Sequence, residues 1–235
     1  MRVLAVDTTA HLSGMAVVDA TEGVIAESLL ARGATHSKHL MKGMLTLLEG
    51  AGLEMMDLSG LVSVRGPGSF TGLRIGISTL KGIAVATGLP LVGVSSLDAL
   101  AVMYAGLSSR LLPMIDARKQ QVFACPYTAD AGGWLIPESA PVSIRPEALL
   151  ASMDAPYLCV GSGAVLYKEM ITHVWGPDAV IPSPVMNRLS MEEVGRMGIR
   201  QLQQGDKGDP AALLPAYVRK SDAELNRDLA AAALP

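Results

Sequence analysis

Residues 65–76 read RGPGSFTGLRIG and lie between an apolar segment at 61–64 and a helix-compatible run that extends to about Thr87. The Gly-Pro-Gly sequence ends the predicted strand, and Ser69 is placed to cap the following helix. Gly88-Leu89-Pro90 then stops this helix. Such a turn can bind an anion at the helix N-terminus, although it lacks the Gly-x-x-x-x-Gly-Lys-Ser/Thr spacing of a P-loop. The stretch therefore predicts a strand–turn–helix unit, with an anion site as the open alternative.

The segments on either side of this unit predict a mixed sheet. Before it come predicted strands at 2–7, 14–19 and 24–31 and a helix from Thr35 or Ser37 to about Glu49. After it come a strand at 91–94 and a helix at 97–105. The short spacing of the first three strands favours an antiparallel meander. A meander followed by β-α-β-α predicts an α/β protein with helices on the faces of the sheet.

The second half repeats this order in a weaker form. It contains predicted paired strands at 111–116 and 120–127, a strand near 134–136, a helix at 146–153, a strand at 157–160, and helices near 165–173 and 191–204. We therefore expect two related lobes. The first would span 1–105 and the second, smaller lobe 106–218, with a tail at 219–235.

The composition restricts the class of protein. The chain has 235 residues, half of them hydrophobic and 17% charged, with a net charge of −3. This excludes a disordered chain, and no apolar run approaches the roughly 20 residues of a bilayer span. The acidic net charge argues against a protein that binds nucleic acid without a partner protein. Asp7 comes too early for a secretion signal, so we expect a cytoplasmic protein. The two distant cysteines, Cys125 and Cys159, are expected to be free thiols.

The end of the first strand holds the clearest candidate ligand groups. Asp7, Thr8 and Thr9 could hold a phosphate or a magnesium-bound water at a turn rich in backbone N–H groups. The alternative is a local turn in which these side chains bond their own backbone. No metal site is predicted, because His36 and His39 are three residues apart and have no third ligand at a recognisable spacing.

Two features of the helices call for close packing. Gly72 and Gly76 lie on one helix face, and each costs about 1 kcal/mol relative to Ala in a helix interior. Close approach by another helix, of this chain or of a partner, would offset that cost. The first helix has apolar stripes at Leu40/Met44/Leu47 and Met41/Leu45/Leu48. An arc this wide indicates two buried sides.

Several of these motifs together resemble one family. They are 6–9 (VDTT), His36-Ser37, the run at 65–76, 93–97 (GVSSL), Asp116-Ala117-Arg118 and 215–219 (PAYVR). In this order they resemble the TsaB, or YeaZ, family of bacterial tRNA threonylcarbamoyladenosine biosynthesis proteins. The resemblance implies the actin-like ATPase fold (ASKHA, ribonuclease H-like), with two related lobes of mixed sheets flanked by helices.

The resemblance also implies a function. The chain would be a non-catalytic scaffold or activator in the formation of N6-threonylcarbamoyladenosine (t6A), next to the anticodon of tRNAs that read ANN codons. It would form a heterodimer with a catalytic TsaD-type subunit and work with a TsaE-type ATPase. It would contact tRNA only indirectly, through this complex, and it would form a homodimer when the partner is absent. Two histidines at i, i+4 hold the metal of TsaD, whereas His36 and His39 are at i, i+3. No cofactor is required, and ATP or ADP binding at the partner interface stays open.

The resemblance places the partner on the helices that begin near His36 and Ser69. The interface residues that it implies are His36, Leu40, Met44, Leu47, Phe70, Gly72, Leu73, Gly76, Ile77 and Leu80. Asp7, Thr8 and Thr9 would form a vestigial phosphate site. The alternative hypothesis is an independent actin-fold ATPase or small-molecule kinase that uses Asp7 and Thr8, and a metal-dependent peptidase is a third, less favoured hypothesis.

Overall fold

A computed structural model describes residues 1–10, 13–30, 37–154 and 156–219. His36, which we expected at the partner interface, and the tail beyond Arg219 lie outside the described residues. Within the described ranges, no helix combines the length and the apolar character needed to cross a membrane.

The first sheet has five strands and the predicted mixed topology. Its strands are β1 (Arg2–Asp7), β2 (Ser13–Asp19), β3 (Gly23–Leu30), β4 (Gly60–Gly66) and β5 (Leu91–Ser95), in the order β3-β2-β1-β4-β5. The first three pair antiparallel, whereas β1, β4 and β5 pair in parallel. The predicted meander and the two crossovers are therefore confirmed.

Helices cover both faces of this sheet. Because alternate strand residues point to opposite faces, Leu4 and Val6 pack into one core and Val3 and Ala5 into another. The first core lies under α1 (Ser37–Gly50) and α2 (Phe70–Thr87). The second core lies under α3 (Ser96–Val102) and a helix from the far end of the chain.

The second sheet repeats the topology of the first. Its strands are β6 (Arg110–Arg118), β7 (Gln121–Ala124), β8 (Tyr127–Ala129), β9 (Leu135–Pro137), β10 (Val142–Ile144) and β11 (Leu158–Val160). The path β10-β7-β6, with β11 parallel to β6, reproduces the path β3-β2-β1 with β4 parallel to β1. The strand expected near 134–136 is β9, but it belongs to an inserted β8–β9 hairpin, and β10 takes the third place of the meander.

Three helices follow the strands of the second sheet. They are α4 (Pro146–Ala151), α5 (Ser162–Leu166) and α6 (Lys168–Trp175). Buried residues of all three pack against β6, β7 and β11. The prediction of a repeated α/β architecture is confirmed at the level of topology.

The last helix corrects one prediction. We expected the helix at 191–204 to complete the second lobe, but α7 (Met191–Gln203) packs on the first sheet beside β1 and β2. Its glycines make this contact close, because a Cβ at Gly195 would lie 2.5 Å from Val18 and a Cβ at Gly198 would lie 2.2 Å from Val62. The chain therefore leaves the second sheet and returns to close the open face of the first.

After α7, residues 208–219 form a segment that we call the C-terminal strap. Leu91 N donates to Gly208 O at 2.7 Å, and Ala216 N donates to Arg65 O at 2.7 Å. Between these two bonds, Leu213 is buried in the core under α2. The strap thus runs beside β5, the last strand of the first sheet, and covers an edge that would otherwise offer unpaired backbone groups.

Tyrosine hydroxyls connect the two predicted lobes. The Tyr127 hydroxyl on β8 donates to the Asp98 carboxylate on α3. The Tyr104 hydroxyl, just after α3, donates to Met186 O at 2.6 Å. Burial, and next the charge of Asp98, raise the pKa of Tyr127 above its usual value. These bonds join α3 to the second sheet and to the segment that leads into α7.

The turn between β2 and β3 carries a pH-sensitive carboxylate. Asp19 accepts hydrogen bonds from the Thr21 hydroxyl at 2.7 Å and from Thr21 N at 2.9 Å. Its second oxygen lies 3.3 Å from Arg2 Nε and 3.7 Å from the terminal amine of Met1. The hydrogen bonds from Thr21 are the largest cause that holds the pKa of Asp19 well below its usual value.

Asp19→Asn is therefore expected to lower the stability at neutral pH by an amount that disappears in acid. A carboxyl whose pKa is depressed in the folded state stabilises that state fully above its unfolded pKa of about 4. This contribution shrinks as the pH falls below that value, so it is already smaller at about pH 3, and it is gone once the pH is below the folded pKa. Urea unfolding of both proteins at pH 7, 5 and 3 measures the gap. A gap that stays constant across this range would contradict the assignment.

Candidate functional site

The strand–turn–helix unit at 65–76 is formed as predicted. Ser69 caps α2, and its hydroxyl accepts from Gly72 N at 3.3 Å. At the other end of the helix, Gly88 adopts a left-handed conformation with φ of 74°, in which its N–H bonds to Ala84 O. The helix thus begins and ends at the residues that the sequence indicated.

Asp7, Thr8 and Thr9 are buried against the beginning of α2. Asp7 Oδ1 accepts from Thr9 N at 2.7 Å, and the Thr8 hydroxyl donates to Gly72 O at 2.7 Å. Ser69 N donates to Thr9 O at 2.9 Å. The local-turn alternative for these side chains is therefore present, and the beginning of α2 packs against them.

Burial also sets the ionisation of Asp7. It raises the pKa of the carboxyl, and the hydrogen bonds from Thr9 oppose the rise. Burial makes ionisation of the Asp7 carboxyl unfavourable, and this carboxyl already accepts a hydrogen bond from Thr9 N. Both facts favour the local-turn interpretation of this segment. Its role in a vestigial phosphate site stays a prediction.

The same loop accounts for the two glycines that share a face of α2. A Cβ built at Gly72 would lie 1.9 Å from Thr8 O, and one built at Gly76 would lie 2.3 Å from the Thr8 hydroxyl oxygen. We expected another helix to make this close approach. The structure instead places the β1–β2 loop of the same chain there, so both glycines are needed by the fold itself.

Most of the apolar residues expected at the partner interface lie in the core of the first lobe. They are Leu40, Met44, Leu47, Leu73, Ile77 and Leu80, and each is at most 8% exposed. Because α1 packs on both the sheet and α2, its wide apolar arc is largely used within the chain. In this conformation these six side chains shape the two helices and do not offer contact surface, which corrects their expected role.

A different set of residues lies on the outward side of the two helices. Leu45 on α1 is 52% exposed, and Val85 on α2 is 78% exposed. Ser78, Gly82 and Val85 follow the i, i+4, i+7 spacing of one helix face. Apart from its two chain neighbours and the nearby backbone of its own helix, no described heavy atom lies within 4 Å of a Cβ built at Gly82. We call Leu45, Ser78, Gly82 and Val85 the outer face of α1–α2.

Sequence reasoning missed Gly82 and Val85. The sequence did contain a signal that could have identified this position, because Gly82 is a third glycine within the predicted helix, six positions after Gly76. Unlike Gly72 and Gly76, this glycine meets no described neighbour, so its helix-propensity cost of about 1 kcal/mol is not offset within the described chain.

The remaining candidate groups carry no site in the described residues. There, no group of three or more His, Cys, Asp and Glu side chains is arranged to hold a metal ion. Cys125 and Cys159 are free and buried, and burial raises the pKa of the Cys159 thiol to about 12. Since the thiolate is the nucleophile, such a thiol is inert.

Comparison with solved structures defines the fold class. YeaZ from Pseudomonas aeruginosa superimposes with a TM-score of 0.74 at 24% identity over 92% of this chain and 99% of that one. Lmo2764 from Listeria monocytogenes, described as a candidate N-acetylmannosamine kinase, gives a TM-score of 0.50 at 12% identity and covers 88% of this chain. Together with the repeated mixed sheets, these likenesses define an actin-like ATPase fold, as expected.

Sequence comparison defines the family. The tRNA threonylcarbamoyladenosine biosynthesis protein TsaB of Bacillus subtilis is 30% identical over 95% of this chain and 96% of its own length. The TsaB protein of Escherichia coli is 30% identical over 72% of this chain and 75% of its own length. The family model for TsaD, tRNA N6-adenosine threonylcarbamoyltransferase, matches residues 13–134. The chain belongs to the TsaB, or YeaZ, family, which confirms the resemblance.

Proposed function

We propose that this chain is an accessory subunit in the formation of t6A on tRNA, and that it acts by docking on a TsaD-type catalytic subunit. Relatives in Bacillus subtilis and Escherichia coli are named for the biosynthesis of this nucleoside. The matched family model is named for the transferase that forms it. Both names support a place in this modification.

The contacts of Asp7 and Thr8 favour the accessory role over an independent ATPase or kinase. Their polar atoms bond Thr9 N and Gly72 O, and all three residues at 7–9 are at most 6% exposed. A phosphate would have to compete with these internal hydrogen bonds to be held there. The transfer itself is assigned to the TsaD-type partner.

The observation that carries the docking proposal is the open space at Gly82. A glycine at an exposed position inside an 18-residue helix lowers the stability of that helix. Ser78 is a small residue on the same helix face, and Leu45 on α1 and Val85 on α2 expose apolar side chains. A helix of a partner can approach such a face closely, because no Cβ keeps the backbones apart.

Gly82→Gln is expected to weaken binding of the TsaD-type subunit at least tenfold, because the new side chain would occupy the open space beside Gly82 that a partner helix would approach. Titration of the purified chain with the TsaD homologue of the same genome, followed by size-exclusion chromatography with light scattering, measures the complex. Thr172→Gln, at an exposed position of α6, is the matched control and should bind as the unmodified chain does. Undiminished binding by Gly82→Gln would remove the outer face from the interface.

We further infer that the outer face of α1–α2 pairs two copies of the chain when the TsaD-type subunit is absent, since an exposed apolar face tends to be covered. Sedimentation of the unmodified chain and of Gly82→Gln, with and without the partner, tests this. A TsaE-type ATPase is proposed to join the resulting heterodimer.

A further inference from the structure

We propose that the C-terminal strap and the turn between β6 and β7 form a surface that contacts the phosphates of RNA. Its cationic residues are Arg65, Arg74, Arg118, Lys119 and Arg219. The choice of RNA as the polyanion rests on the proposed function, whereas the surface itself rests on the contacts described below. It lies at the end of α2 that carries Ser69, away from Gly82 and Val85.

The strap contacts the backbone of Arg65 and the side chain of Arg74, and it carries Arg219 itself. Ala216 N bonds Arg65 O at 2.7 Å, and the Tyr217 hydroxyl accepts from Arg74 Nε at 3.1 Å. Arg219 Nη1 donates to Gln121 Oε1 at 3.0 Å, which carries the strap from the first lobe to the second. Since three residues of extended chain span about 10 Å, these contacts lie within one short stretch.

The turn between β6 and β7 adds two more cations. Gln121, which Arg219 contacts, is the strand partner of Arg118. Arg118, Lys119 and Gln120 all adopt positive φ angles, of 61°, 52° and 57°. Three successive non-glycine residues in this conformation cost free energy, and such cost is concentrated at functional positions. The turn presents Arg118, whose side chain is 66% exposed, beside the strap.

An aromatic stack lies in the middle of this surface. The rings of Phe70 and Tyr217 are 4.6 Å apart at an angle of 27°, and the Arg74 guanidinium lies 4.0 Å from the centre of the Phe70 ring. Tyr217 is 45% exposed, although aromatic residues make up only 4% of the chain. An exposed aromatic ring such as Tyr217, close to arginines, is able to stack an unpaired base while the cations contact the nucleic-acid backbone.

Charge distribution favours a polyanion. The five cations belong to a chain whose net charge is −3, so the rest of the molecule is correspondingly more acidic. The Asp116 carboxylate, 3.3 Å from Arg118, offsets one of them in part. A nucleobase can stack on the exposed Tyr217 ring while the phosphates beside it contact the arginines, which acidic side chains alone cannot do. We therefore assign the surface to RNA.

Charge reversal at this surface tests the proposal. The probe is a fluorescent transcript of a tRNA that reads a codon beginning with A, titrated with the full chain alone and with an equimolar TsaD-type subunit. Arg118→Glu and Arg74→Glu are each expected to weaken RNA binding about fivefold or more and to lower the salt dependence of log K by about one. Lys207→Glu, an exposed reversal just before the strap, is the matched control and should bind RNA as the unmodified chain does.

Complex formation by the same variants separates this proposal from the proposed function. If the variants form the heterodimer normally and lose RNA affinity, both are supported. If they bind RNA as tightly as the unmodified chain, or if no RNA binding occurs in either arrangement, the surface assignment is overturned while the heterodimer stands. RNA binding that depends on Arg118 in a chain that forms no heterodimer would overturn the proposed function instead. Equal affinity for polyglutamate would overturn the assignment to RNA.

Discussion

Gly72→Ala is expected to cost about 3 kcal/mol of unfolding free energy or more, out of a total of about 5–15 kcal/mol. The added Cβ would lie 1.9 Å from Thr8 O and 2.9 Å from Thr8 C. These are backbone atoms, and Thr8 and its neighbour are fixed to α2 by the bonds to Gly72 O and Ser69 N. The loop and the helix must therefore separate to admit a single methyl group.

Gly82→Ala is the matched control within the same helix, and its expected effect has the opposite sign. Its Cβ meets no described atom within 4 Å, so the substitution should stabilise the chain by about 1 kcal/mol through helix propensity alone. Urea unfolding of both variants, followed by circular dichroism, measures the two changes. Equal stabilities for the two alanine variants would contradict the packing of Thr8 on α2.

Gly76, like Gly72 and unlike Gly82, leaves no room for a side chain. The spacing of Gly72 and Gly76 alone would single out Gly76 as a probe of the partner interface. Because a Cβ there would lie 2.3 Å from the Thr8 hydroxyl oxygen, Gly76→Leu would disrupt folding and would not report on the partner. Gly82 is the position where fold and docking can be separated.

Local signals explain what could be predicted from the sequence. The first sheet and its crossovers follow from short apolar runs separated by turn residues, and Ser69 and Gly88 mark both ends of α2 because capping is a local interaction. The run at 65–76, one of the motifs that carry the family resemblance, includes Gly72 and Gly76, which turn out to serve the contact between α2 and Thr8.

The remaining features depend on distant contacts that periodicity does not encode. An amphipathic pattern shows that α7 buries one face, but not that this face covers the first sheet. The two stripes of α1 indicate two buried sides, but not that its own α2 is one of the neighbours. For the same reason the spacing of Gly72 and Gly76 indicated a close neighbour without identifying Thr8.

The packing of α7 can be tested at one pair of residues. A Cβ at Gly198 would lie 2.2 Å from Val62 Cγ2 and 2.7 Å from Val62 Cγ1, and Val62 is completely buried. Gly198→Ala is expected to cost about 1–3 kcal/mol by overpacking, less the gain in helix propensity. Val62→Ala is expected to cost about 2 kcal/mol or more, because it leaves a cavity.

The double variant Gly198→Ala/Val62→Ala should cost less than the sum of the two single changes, because the new methyl group occupies the space that the valine leaves. A coupling of about 0.5–3 kcal/mol is typical of residues in contact. Ala86→Gly, at an exposed position of α2, combined with Val62→Ala serves as the control pair and should be additive. Additive energies for Gly198 and Val62 would mean that α7 does not close the first sheet in solution. Coupling between the two sites would mean that α7 packs on the first sheet in solution. The C-terminal strap, which continues from α7 to Arg219, would then lie beside the first sheet as well.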